Sequence, residues 1–119
     1  MTTVQTNHYR ELSAGYLRHA RELLAEGDLP QASEKGWGAA ATAVKALAEM
    51  RGLDHNGHFL LRRILRQLVE ETGDHELSEH FGLAEALHIN FHEARLPAED
   101  VELYLGHVER LVGELGGLG

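Results

Sequence analysis

Apolar residues recur at three- and four-residue spacing along nearly the whole chain, and no stretch alternates with β-branched residues, so the pattern predicts an all-α protein. Five helices are expected. The first runs from about Val4 to Glu26, with Tyr9, Leu12, Tyr16, Ala20 and Leu23 or Leu24 on one face, and Gly27 stops it. Asp28 reads as the N-cap of the second, with Gln31 as reciprocal partner and Pro30 in the first turn, where a missing N–H costs nothing. That helix extends to about Arg51 and gives way to a loop of turn formers, Gly52-Leu-Asp-His-Asn-Gly57. The third, about His58 to Thr72, turns Leu61, Ile64, Leu65 and Leu68 inward and Arg62, Arg63 and Arg66 outward. Gly73 and Asp74 break it. A fourth, about His75 to Ala94, carries Leu77, Phe81, Ala84, Leu87, His88 and Phe91 along one stripe. The last starts at Pro97, with acidic residues in its first turn, and presents Val101, Tyr104, Leu105, Val108, Leu111, Val112 and Leu115 inward before a frayed Gly116–Gly119 tail.

Short loops favour antiparallel neighbours, which gives an up-and-down bundle of four main helices plus one shorter element in a single domain, residues 1–119. The second helix is small-residued almost all round, so it reads as the central one. Gly15, Gly36, Gly38, Gly82 and Gly106 lie inside helices at a cost of about 1 kcal/mol each relative to Ala, which predicts close helix contacts. Val4, Tyr9, Tyr16, Leu17 and Trp37 exceed what one slim bundle covers, and a symmetric homodimer is expected to cover the rest.

Composition narrows the function classes. The absence of cysteine removes disulfides, zinc ribbons and thiol nucleophiles. No apolar run reaches membrane-spanning length, and the first residues show neither a basic start nor an apolar h-region, so a soluble cytoplasmic protein with no membrane partner is expected. A net charge of −8 disfavours nonspecific nucleic-acid binding, and no DNA partner is assigned. Any RNA contact needs a local basic patch, and Arg62, Arg63 and Arg66 form the one dense basic face. Nine histidines make the charge adjustable below pH ~6.5.

His88 and His92, four apart on one helix with Glu85 and Glu93 nearby, have the local geometry of a two-histidine clamp. Without a fixed third ligand such pairs are more often core-edge or interface residues, so no metal and no cofactor is assigned, His88 and His92 being the residues that would hold one. Glu34, Lys35 and Lys45 on the second helix, facing His88, Asn90 and Glu93 on the fourth, form either a polar cross-brace or a ligand site in which Glu34 orients His88 and a lysine binds an anion. Trp37 is a core anchor or a stacking surface for a base. No phosphate loop, nucleophile elbow or nucleic-acid fold signature is present.

The segments Ala32-Ser-Glu-Lys-Gly-Trp-Gly-Ala-Ala-Ala-Thr-Ala-Val-Lys-Ala-Leu-Ala and Ala86-Leu-His-Ile-Asn-Phe-His-Glu resemble the archaeal PaREP-type proteins of the wider HEPN-like (higher eukaryotes and prokaryotes nucleotide-binding) group. The resemblance implies an antiparallel helical bundle, commonly homodimeric. Its active relatives cut RNA or partner small nucleotidyltransferases. The ribonucleases of that group use an Arg and a His with roughly four to six residues between them on the last long helix. Here His88 stands at the Arg position and His92 comes one position early, while Arg51 and His58 satisfy the spacing in the wrong place. The expected function is a binding module for a protein, nucleotide or RNA partner without the usual ribonuclease motif. The alternative is a metal-independent, toxin-like ribonuclease, with His88, His92 and Glu34 as the candidate catalytic residues.

Overall fold

In a computed structural model, which describes residues 3–118, the chain forms five α-helices and, among the described residues, no strand: α1 Val4–Glu26, α2 Leu29–Arg51, α3 His58–Thr72, α4 Glu76–Glu93 and α5 Ala98–Gly116. Local chemistry sets the boundaries. Thr3 caps α1, its hydroxyl accepting from the Thr6 N–H, and Gly27 ends that helix in the left-handed region at φ 83°. Asp28 caps α2 by accepting from the Gln31 N–H at 3.3 Å. Pro97 is the extended N-cap of α5 rather than its first helical residue. At the other end Gly117 and Leu118 turn back, and Leu118 packs against the core. The predicted fraying therefore does not hold for the described part of the tail, and Gly119 lies outside the described residues.

The α1–α2 and α4–α5 pairs are hairpins that pack on one another, and α2 touches all four other helices. Its composition explains this position. Ala39, Ala40, Val44, Leu47 and Ala48 are buried together with Gly36, so neighbours approach from several sides. At Gly36 an added Cβ would come within 2.6 Å of Leu105 and 2.9 Å of Leu87, so α2, α4 and α5 meet there. Gly38 lies under the Tyr16 ring. By contrast, Gly82 and Gly106 face open space and Gly15 meets only Arg18 of its own helix, so the close helix contacts expected at every helical glycine are absent at these three. Ser13 ties α1 to α2 by donating to the Ala39 carbonyl at 2.7 Å. The shorter α3 lies at the side, on α2 and α4, with Leu61, Ile64, Leu65 and Leu68 buried.

The apolar excess expected on α1 and α2 is smaller than the sequence suggests. Tyr9, Tyr16, Leu17 and Trp37 are half-buried within the chain itself, and of that set only Val4 stays exposed. The exposed large apolar side chains lie mainly elsewhere, with Phe59 at 74% and Ile89 at 55%. Among the described residues no helix is long and apolar enough to cross a membrane.

Candidate functional site

Where α2, α3 and α4 converge, two imidazoles are held against one indole. Glu34 and Trp37 lie three residues apart near the start of α2 and so project from one side of it. His88 reaches them from α4. Its Nδ1 lies 2.8 Å from Glu34 Oε1, and its ring centre is 5.3 Å from that of Trp37, tilted by 33°. His58, the first residue of α3, packs against the indole at 4.8 Å, and Phe81 meets it edge-on at 5.6 Å. Gly57, at φ 103°, aims the chain so that α3 opens with this histidine.

Each imidazole has its own carboxylate. His58 Nε2 lies 2.5 Å from Glu85 Oε2, and Arg62 bonds the same oxygen. An ionised carboxylate only accepts, so His88 carries its hydrogen on Nδ1 and His58 on Nε2. In their neutral forms this leaves His88 Nε2 and His58 Nδ1 as lone-pair atoms on the open side of each ring. Both rings are partly exposed, at 35% for His88 and 43% for His58, while Glu85 is nearly covered at 14%. The His92 ring stands perpendicular to that of His88 at 5.4 Å. Arg62, Arg63 and Arg66 are exposed on α3, Arg62 and Arg66 beside Phe81 and Glu85 of the cluster and Arg63 on the side of Leu53 and Asp54. Trp37 is thus an anchor that positions two histidines, its ring largely occupied by them and by Phe81.

The structure divides the polar residues that the sequence groups together. Glu34 and His88 meet as expected. Lys35 turns to α1, its Nζ 5.3 Å above the Tyr16 ring, because it lies one residue (about 100°) round the helix from Glu34. Lys45 shares Glu34's nominal face but lies eleven residues, about 16 Å, further along the axis, and its Nζ sits 5.9 Å above Tyr9. Both ammonium groups thus lie over α1 tyrosines rather than beside His88. Asn90 is buried and fully employed: its amide donates to Ser33 Oγ at 2.9 Å, and its carbonyl oxygen accepts from the Arg95 and Leu96 N–H groups at 2.8 Å each. It ties α2 to the α4–α5 turn. Glu93 is exposed on the last turn of α4 and takes no part in these contacts.

Arg51, which satisfies the Arg–His spacing with His58, pairs instead with Glu71 at 2.8 Å. Sequence reasoning set His58 aside, since nothing in spacing shows that a residue after a glycine loop will land on Trp37. A second polar cluster, His80, His107, Glu76 and Glu114 between α4 and α5, was also missed. Periodicity holds a signal for it: His80 follows Leu77 by three, His107 follows Tyr104 by three, and Glu114 follows Leu111 by three, all on inward stripes.

The sequence matches the archaeal PaREP1/PaREP8 family over residues 8–112. The chain belongs to that family. Its matched segment contains every residue of the Trp37 cluster, whereas Glu114 lies just beyond it. Among solved structures, the crystal structure of a protein from Sulfolobus solfataricus is similar, with a TM-score of 0.80 and 26% identity over 89% of this chain and 94% of that one. No curated protein matches.

Proposed function

We propose that this PaREP-family protein is a one-domain, HEPN-like helical homodimer of the cytoplasm that binds RNA or a nucleotide at the Trp37 cluster. The observation that carries the reading is the pair of carboxylate-held imidazoles, His88 and His58, fixed against one indole with a free ring nitrogen each, beside the arginine face of α3. Arg62 and Arg66 supply phosphate contacts, and the two ring nitrogens supply hydrogen bonds to base edges or a 2′-hydroxyl. The net charge of −8 makes the rest of the surface repel a polyanion, so binding is confined to this face. Phe59 and Ile89, next in sequence to His58 and His88, are the apolar residues a dimer mate would cover, which sets a second copy beside the cluster.

One observation favours a second reading, the metal-independent ribonuclease. Glu34 fixes the His88 tautomer as the acidic member of a catalytic triad fixes its histidine. In that reaction His88 Nε2 takes the proton of a 2′-hydroxyl, the 2′-oxygen attacks the neighbouring phosphorus, and the 5′-oxygen leaves with a proton from His92, giving a cyclic phosphate. The missing Arg of the group's ribonuclease motif places this reading second.

Anisotropy of a labelled single-stranded oligoribonucleotide in EDTA distinguishes the two. Saturable binding without cleavage is expected, weakened about tenfold by Arg62→Ala or His88→Ala, with the Arg change also lowering the salt slope by about 0.7. Cleavage lost in His88→Ala promotes the ribonuclease. No saturable binding of RNA or nucleotide, with a small nucleotidyltransferase bound instead, replaces both with the protein-partner function.

A further inference from the structure

The cluster between the start of α4 and the end of α5 differs in kind from the one at Trp37. His80 is 2% exposed, and its Nδ1 lies 2.9 Å from Nδ1 of His107 on α5. Its Nε2 is buried with no hydrogen-bond partner among the described residues, and so is Oε2 of Glu114. The two residues approach without bonding, Nε2 to Oε1 being 4.0 Å. Glu76, one turn before His80 on the same face of α4, adds a second carboxylate. One ligand atom from each of Glu76, His80 and Glu114 falls within 4.8 Å of the others.

A buried imidazole nitrogen and a buried carboxylate oxygen have both lost water here without gaining a partner, which is costly to fold around. The hydrogen bond to His107 holds a single proton between two Nδ1 atoms. With His80 as its donor, Nε2 bears a lone pair pointing toward carboxylate oxygens, an arrangement that repels until a cation lies between them. Burial, and then the nearby Asp74 carboxylate, push the Glu114 carboxyl up from its ordinary value, against a smaller lowering by His80. Two ligands each about 2.1 Å from one tetrahedral ion sit roughly 3.4 Å apart, so closing the gap takes only side-chain rotation of Glu114 and of the exposed Glu76.

We propose that Glu76, His80 and Glu114 bind one divalent transition-metal ion, of which Zn²⁺ is the representative, clamping the first turn of α4 to the last turns of α5. His107 orients His80 from behind, the usual position of the group that fixes a metal-bound imidazole. The nitrogen ligand selects against Mg²⁺ and Ca²⁺, which take oxygen alone. This site is separate from His88 and His92 and does not depend on the RNA-binding reading.

Calorimetric titration of the full chain, stripped with chelator, with Zn²⁺ and separately with Mg²⁺ tests the site. One Zn²⁺ per chain is expected, with a rise in melting temperature that Mg²⁺ does not produce. Co²⁺ should give a visible d–d band. Glu76→Gln and Glu114→Gln should each weaken Zn²⁺ binding at least about tenfold, and His107→Ala should do the same with all three ligands in place. Because His80 is buried and its replacement can unfold the chain, the two glutamates decide the matter. No stoichiometric binding, or unchanged affinity in both glutamate variants, which would assign the ion to other histidines among the nine in the chain, overturns the proposal.

Discussion

His88 and His80 lie eight residues apart on the same helix, and both face a glutamate from another helix, yet their surroundings are opposite. His88 is a third exposed and bonded to Glu34 at 2.8 Å, so its inner nitrogen has its partner and its outer nitrogen is left without one. His80 is buried, bonded only to another histidine, and separated from Glu114 by 4.0 Å. A completed pair at the surface leaves one atom to present to a large ligand. An incomplete pair, with only its histidine buried and its Glu114 side chain 39% exposed, leaves a gap that an ion can enter. The comparison shows why histidine count and spacing alone mislead: the clamp-like His88/His92 spacing lies at the site with satisfied partners, and the unsatisfied ligand set comes from two helices far apart in sequence.

The comparison breaks most visibly at Asn90, which the sequence places with the ligand-binding residues and the structure makes a tie. Asn90→Ala strands the Arg95 and Leu96 N–H groups and loses the bond to Ser33, so a loss of about 2–3 kcal/mol is expected in urea unfolding, with RNA affinity of the folded fraction unchanged. Lost affinity at unchanged stability would return Asn90 to the site.

Glu34 sharpens the surface half. With Glu34 and His88 at 29% and 35% exposure, the pair contributes as a partly solvated hydrogen bond, no more than about 1 kcal/mol. Glu34→Ala should therefore lower stability by less than that while weakening oligoribonucleotide binding about tenfold, or ~1.4 kcal/mol. A stability loss near ~3 kcal/mol with binding intact would instead mark a buried structural brace.

The smallest effect belongs to Glu114. Because its pKa is raised in the folded chain, the native state holds more protons than the unfolded one between the two values, and metal-free stability falls as pH rises through that window. Glu114→Gln should flatten the dependence above the ordinary glutamate value and leave the metal-free protein slightly more stable at neutral pH. Denaturant titrations at several pH values in EDTA check this, and an unaltered slope would show that Glu114 is not the group responsible.

Much of the fold was legible because periodicity and helix punctuation agree. Asp28 with Pro30, Gly27 and Gly52 mark the helix ends, and the run of small residues identifies α2 as the helix the others surround. The Glu34–His88 contact was legible for the same reason, since small neighbours bring two backbones close enough for their polar residues to meet. Lys45 shows what a helical wheel leaves out: it preserves direction and discards distance along the axis. His58 was hidden because its place depends on the path through the Gly57 loop. The tie made by Asn90 was hidden because its partners include the N–H groups of Arg95 and Leu96, where α4 ends at Ala94 in the left-handed region, and a side-chain pattern does not show them.

Trp37 is the chain's single tryptophan, and it is in contact with both His58 and His88. Its fluorescence during titration with a single-stranded oligoribonucleotide in EDTA tests most directly whether the carboxylate-held histidine cluster is the binding site. A saturable change in intensity is expected, shifted about tenfold to higher RNA concentration in both Arg62→Ala and His88→Ala. An unchanged spectrum across the titration, or the same midpoint in both variants, would contradict the account.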